Sequence, residues 1–480
     1  METSILWESM ISMGAGSPSN RLRRQLYGGY NAAGFQPPIQ VTTGPPLLQF
    51  PAGIAVHSIG QPPHLSLGGS SSTFHGSAEC VCKEENKCPA GPQGPAGDVG
   101  QPGKPGIKGK PGIPGFDAPD FKNAGLKGCF PTASTVPQGD IELQQVSTDT
   151  VQALKFNPAA PNTPIFLAAG SWDNTCRIWE INENGQSEPK AMQDLGAPVL
   201  SVDWFEDSSK VFITCCDKSV RLWDLQSNSV VVVGQHDDCV KSCHWVTASN
   251  YQCLMTGSWD RSLRFWDMRQ LPTVSSLATI NLPERVWCSD MIYPLAVVGM
   301  ANRHIKSYNL EGQPQEIQDV ESQLKYQNRS IAIFKNKINN QPGGFALGSI
   351  EGRVAIQCLD AKDNKDNFTF KCHRSSELIN GFQEIYPVNV VAFHPIHQTL
   401  CTAGADGRYS FWDKDARTKL KGSDAMALPI TACHIHQGGN IMAYSIGYDW
   451  SKGSEYSYPT NVTKIYLHAC NEEMKPRVKK

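Results

Sequence analysis

Four aspartates each stand six residues ahead of a tryptophan: Asp173 before Trp179, Asp217 before Trp223, Asp260 before Trp266 and Asp406 before Trp412. Asn302 and Tyr308 keep the spacing with softer residue types. A carboxylate accompanied by a histidine and a hydroxyl, as with Asp260, His236 and Thr256, has the residue types of general acid–base chemistry. Repetition argues for a different role. The steps from Trp179 to Trp223 to Trp266 to Tyr308 are 44, 43 and 42 residues, the period of a four-stranded propeller blade. An active site does not recur once per blade, whereas a packing device does. A buried indole N–H needs an acceptor. The expected donor–acceptor chain in the third repeat is therefore His236, Asp260, Thr256 and Trp266, a network that fixes how the blade packs.

Other chemistry is not signalled. No Gly-rich phosphate loop, paired carboxylates or nucleophile elbow stands out, so no catalytic residue and no cofactor is expected. The chain has 16 cysteines, 13 of them from Cys129 onward and mostly inside apolar strand patterns such as Ile213-Thr214-Cys215-Cys216. They read as reduced, buried thiols. None shows CxxC spacing with histidine partners, so no metal site is expected. A net charge of −2 over 480 residues leaves any basic surface to be local. No run of eighteen or more apolar residues marks a membrane span, so no membrane partner is expected. The stretch Met1 to Met13 lacks the features of a signal peptide. Three glycosylation sequons, at Asn328, Asn367 and Asn461, read as chance matches.

The elements that position the repeats are short alternating strands separated by Gly, Asp and Asn turns. Their expected arrangement is an all-β, seven-bladed WD-repeat propeller over residues 138–480. Three strands per blade are legible, beginning at Val151, Val199, Val240, Val286, Ser330, Val390 and Ile430. The fourth blade has a weakened signature, and the fifth and seventh have lost their tryptophan. Asp140-Ile141-Glu142-Leu143 is expected to pair into the last blade and close the ring.

Two stretches combine cations with aromatics: Asn367-Phe368-Thr369-Phe370-Lys371-Cys372-His373-Arg374, and Trp412-Asp413-Lys414-Asp415-Ala416-Arg417-Thr418-Lys419-Leu420-Lys421. They lie around the outer strands of blades five and six, which makes them neighbours on the rim. Lys and Arg pair with phosphates, and aromatic faces stack on unpaired bases. The alternative is that the aromatics are blade core and the charges a solvated edge. For Trp412 the place in the repeat predicts burial. The basic tail Lys475 to Lys480 reads as a solvated end, with phosphate contact or nuclear import as alternatives.

Residues 1–137 differ in kind. Residues 1–79 form a segment rich in Gly, Pro and Ser, a composition that cannot bury a core and is expected to be disordered. Residues 80–118 hold Cys80, Cys82 and Cys88, followed by glycine at every third position from Gly91 to Gly115, a collagen-like tract; residues 119–137 are a linker. With Arg21-Leu22-Arg23-Arg24 upstream, this part resembles the N-terminal part of a nematode cuticle collagen, without its anchor segment. The abrupt join to a repeat domain reads as a gene-model fusion. A cross-linked extracellular trimer bearing a propeller is the alternative.

From Asp140 onward the chain resembles the WD-repeat mRNA export factors of the nuclear pore. The resemblance is carried by Met255-Thr256-Gly257-Ser258-Trp259-Asp260, by Phe345 to Ile356, by Asp366 to Arg374, by Phe411 to Lys421 and by Tyr448 to Gly453. It implies a non-enzymatic seven-bladed propeller in the nucleus, at the nuclear pore and envelope, and in the cytoplasm. It implies binding of a GLEBS-type segment of an FG nucleoporin and of mitotic checkpoint proteins, and a role in spindle assembly. It further implies single-stranded RNA in a rim groove, at positions matching Arg353, Phe370, Trp412, Lys414, Arg417 and Lys419, with the Trp412 indole at least partly reachable. Lys371 joins this set from its place in the first basic stretch. A generic scaffold, such as a ubiquitin-ligase adaptor with ubiquitin binding, is a further alternative.

Overall fold

The computed structural model describes residues 137–477, apart from 138, 159–162, 183–184, 270–275, 360–365, 380 and 459. The collagen-like tract, the three cysteines before it and the segment preceding them lie outside the described residues.

The aspartate of each repeat makes a turn. Its Oδ1 accepts the backbone N–H two residues on, at 3.0 Å for Asp173 and Thr175, 3.1 Å for Asp217 and Ser219, 2.9 Å for Asp260 and Ser262, and 3.1 Å for Asp406 and Arg408. The residue between is left-handed in every case: Asn174, Lys218, Arg261 and Gly407 have φ of 65 to 73°. Asp and Asn favour such turns because the side chain replaces a backbone acceptor. The turn starts the third strand of the blade, and in three blades an arginine on that strand reaches back to the same carboxylate (Arg177, Arg221 and Arg264).

Seven four-stranded antiparallel sheets result, each running from an inner to an outer strand. The inner strands are Val151–Phe156, Val199–Trp204, Val240–Thr247, Val286–Ile292, Asn328–Lys335, Val388–Phe393 and Ile430–Ile435. The last blade takes its outer strand from the start of the domain: Ile141 pairs with Leu467 and Glu142 with Tyr466, so the ring closes with its ends tied. Inner and middle strands are mostly buried, while outer strands alternate between half-buried and exposed positions, as in Ser187–Asp194. Apolar clusters fill each blade-to-blade contact. The twelve described cysteines are free thiols, all buried except the half-buried Cys358.

Up-and-down connectivity gives the ring two faces. Turns between second and third strands, and links from one blade to the next, lie on one face. The remaining turns lie on the other. A two-stranded hairpin, Arg374–Ile379 with Phe382–Ile385, is inserted in the link between blades five and six.

Candidate nucleic-acid interface

The polar chain of the third blade is present in full. His236 bonds Asp260 at 2.8 Å through Nδ1 and Thr256 at 2.7 Å through Nε2, and the Trp266 indole N–H donates to the same Thr256 hydroxyl at 2.8 Å. A neutral imidazole protonated on Nδ1 satisfies each member: Trp donates to Thr, Thr to His, His to Asp. Blade six repeats the arrangement. His373 bonds Asp406 at 2.8 Å and Thr402 at 2.9 Å, and the Trp412 N–H donates to Thr402 at 3.0 Å. His373 is therefore a buried packing residue, not part of a basic surface strip. Trp179 and Trp223 find other acceptors, the Gln144 carbonyl at 2.8 Å and the Asn228 side chain at 3.1 Å.

Trp179, Trp223 and Trp266 are 0 to 2% exposed, but Trp412 is half-buried. The neighbouring outer strand explains the difference. Gly234 of blade two and Phe370 of blade five occupy equivalent positions, opposite Val220 and Val354 of their third strands. Gly234 lies flush on the Trp266 ring: an added Cβ would stand 2.9 Å from Cε2. Phe370 instead meets Trp412 with its own ring, centroids 4.7 Å apart and tilted by 50°. A phenyl group thus occupies the place where a strand backbone would seal the indole, and both rings stay half-exposed.

Around this pair runs a strip of half-buried aromatics edged by cations. Phe368 stands 6.2 Å from Phe370, and the Arg417 guanidinium lies 4.4 Å above the Phe368 ring. Lys419 Nζ is 5.6 Å from the Trp412 ring, and Lys414 Nζ is 4.5 Å from Phe334. Lys371 pairs with Arg353 across neighbouring strands, and Lys371, Arg417 and Lys419 are exposed. Of the seven residues singled out from sequence and family resemblance, Phe370, Trp412, Lys414, Arg417 and Lys419 share the boundary of blades five and six, whereas Arg353 and Lys371, each one step along its strand from Val354 and Phe370, alternate to the opposite face of blade five. They are not equivalent. Lys414 is mostly buried and bonds Asp415, which also pairs with Lys337 at 2.7 Å. Burial raises the Asp415 carboxyl, but the hydrogen bonds from Lys337 and Lys414 outweigh it and hold it below the usual range. Arg353 lies 3.7 Å from Glu351.

A second feature lies at the centre of the ring. Every inner strand carries a one-residue bulge at its second position, against the middle strand. The extra residues are Gln152, Leu200, Lys241, Trp287, Arg329, Asn389 and Thr431. Bulges re-aim side chains, and here seven equivalent ones ring the start of the inner strands. Leu200 packs with Trp172, Cys239 and Trp259, and Trp259 stacks on Trp287 at 6.2 Å. Burial, and then the Arg329 charge, lower Lys241 to about 8. Burial lowers Arg329, opposed by Asp449. Asn389 Oδ1, Asp449 Oδ2 and the Trp259 indole N–H are buried there with no hydrogen-bond partner.

Comparison with known proteins agrees with this architecture. The WD domain, G-beta repeat profile matches residues 142–180, 192–224, 227–267 and 365–413. The Caenorhabditis elegans mRNA export factor rae-1 is 56% identical over 347 residues, covering 72% of this chain and 92% of the relative. The chain belongs to the WD-repeat mRNA export factor family. Other members show the same reach: Drosophila melanogaster Protein Rae1 is 52% identical over 72% of this chain and 99% of its own length, and the Xenopus tropicalis mRNA export factor 52% over 74% and 95%. In this member of the mRNA export factor family, the ring of bulged residues carried no sequence signal, because a bulge is a register event between strands. The second His–Asp–Thr–Trp set was legible in principle, since Thr402, Asp406 and Trp412 repeat the spacing of Thr256, Asp260 and Trp266. Among the described residues no helix is long and apolar enough to cross a membrane.

Proposed function

We propose that this chain is a non-enzymatic adaptor of mRNA export, acting at the nuclear pore through two surfaces. The observation that carries the first is the half-buried Trp412–Phe370 pair bordered by Arg417 and Lys419. Rings stack on unpaired bases whatever their sequence, and cations follow the phosphates, so the occupant is single-stranded RNA. The second surface is the tryptophan-lined face around the bulge ring, where Lys241 and Arg329 offer positive charge beside apolar rings. This suits an acidic, partly apolar peptide of the nucleoporin GLEBS type. Mitotic checkpoint proteins carrying such a segment would occupy the same face. The mRNA export factors that this chain matches over nearly their whole length support the cellular role.

The test is complementation. In cells depleted of the endogenous protein, the wild-type chain restores export of poly(A) RNA. A chain with Trp412→Ala and Arg417→Ala leaves that RNA in the nucleus while still reaching the pore. Normal export by this variant would refute the groove reading.

A further inference from the structure

The outer strand of blade six, whose Lys419 edges the groove on the blade-five side, meets the C-terminal segment on its blade-seven side. On blade six the outer strand Thr418–Gly422 carries a bulge: Phe411 pairs with Lys421 and Trp412 with Lys419, leaving Leu420 as the extra residue. Its carbonyl is taken by Arg477, whose guanidinium donates to it at 3.0 Å. The approach is anchored. Met474 is fully buried, its carbonyl accepts the Thr399 hydroxyl at 2.7 Å, and its N–H reaches the Cys470 carbonyl at 3.0 Å. Glu473 pairs with Lys421 and His468. From Met474 the chain emerges at the blade's edge with Lys475 and Arg477 exposed. Arg477 therefore sits one residue along the strand from Lys419, the cation over Trp412.

We infer that the phosphate path of the groove does not end at Lys419 but crosses the Leu420 bulge onto Arg477 and Lys475, which hold the backbone of a longer RNA strand. This rests on the reading of the blade five–six groove as an RNA site. A guanidinium with one N–H committed to a carbonyl keeps further donors for a phosphate. The rings grip a few bases, while the tail adds only charge, so its contribution depends on strand length.

The experiment uses the full chain, with fluorescence anisotropy on labelled oligo(U) of about five and about fifteen nucleotides. Lys475→Ala with Arg477→Ala is expected to leave the short strand's affinity unchanged. It is expected to weaken the long strand several-fold and make its salt slope shallower by about 0.7 per lost phosphate contact. Lys475→Glu, at an exposed side chain whose ion pair is with the equally exposed Glu472 at 3.8 Å, keeps the test valid if Arg477→Ala loosens the segment; it gives the same length-dependent loss. Unchanged affinity of both variants for the long strand overturns the inference and leaves the groove intact. Equal loss on both strands overturns it also. Failure of the wild-type chain to bind either strand overturns the groove reading and this extension together.

Discussion

Phe370 and Trp412 stand ring to ring across the boundary of blades five and six, 4.7 Å between centroids, where the equivalent contact between blades two and three is Gly234 on Trp266. One indole of the repeat is thereby kept from full burial while its N–H still holds the blade's polar chain together. In the proposed function, structural and RNA-binding roles share this side chain, and they can be separated.

Trp412→Phe removes the N–H but keeps a ring. Loss of the bond to Thr402 is expected to cost about 1–2 kcal/mol of stability and leave most of the RNA affinity. Trp412→Ala is expected to lose the stacking as well, about 1–3 kcal/mol of binding. Trp266→Phe, at the sealed site, is expected to lower the melting temperature similarly with no effect on RNA. Thermal melts and RNA titrations of the three variants check this. A loss of RNA affinity in Trp266→Phe would show that only stability is being read.

Closure of the ring is expected to depend on pH. His468 lies between Asp140 at 2.6 Å and Glu473 at 3.0 Å, with Tyr409 on its ring, Tyr444 on Asp140 and Lys421 on Glu473. Burial alone would lower His468, but the two carboxylates outweigh it and raise it above its ordinary value. The folded value thus exceeds the unfolded one, about 6.5. The contribution is complete below the unfolded value and is lost as pH rises through the folded one. Melting temperature should fall over that window, and His468→Gln should flatten the fall. A fall of the same size in His468→Gln would assign it elsewhere.

Peptide binding on the bulge ring should carry its own titration. Lys241 sits at about 8 because burial and Arg329 disfavour its charge. An acidic peptide requires that charge, so affinity should decline as pH rises past this value, with the midpoint moved upward in the complex. Lys241→Ala should weaken binding and remove the decline. Calorimetry with a GLEBS-type peptide between pH 7 and 9, a window set by about one unit either side of this value, reads both effects. A decline that persists in Lys241→Ala would place the titrating group elsewhere.

The propeller was legible because its signals are local. The Asp-to-Trp spacing reflects one turn and one strand, and it recurs at Asp173, Asp217, Asp260 and Asp406. The closing strand Ile141–Glu142 was legible from a topological need, since a ring with untied ends exposes an edge. What the residues alone left open at Trp412 was a relation between strands far apart in sequence. Whether an indole is sealed depends on what the preceding blade lays on it, a glycine at 234 or a phenylalanine at 370. His373 misled for the same reason. It follows Lys371 in a basic stretch, yet the link between blades turns it inward to Asp406 and Thr402. The bulge ring and the Arg477 contact with Leu420 are register effects that no single segment displays.

The central claim, that the boundary of blades five and six captures single-stranded RNA, is tested most directly by an equilibrium salt titration of one oligonucleotide against the wild-type chain and Arg417→Ala with Lys419→Ala. Both side chains are exposed, so folding should be unaffected. The predicted result is weaker binding with a salt slope shallower by about 0.7 for each phosphate contact removed, at an unchanged melting temperature. Identical affinity and slope for the two proteins at low salt would contradict the account.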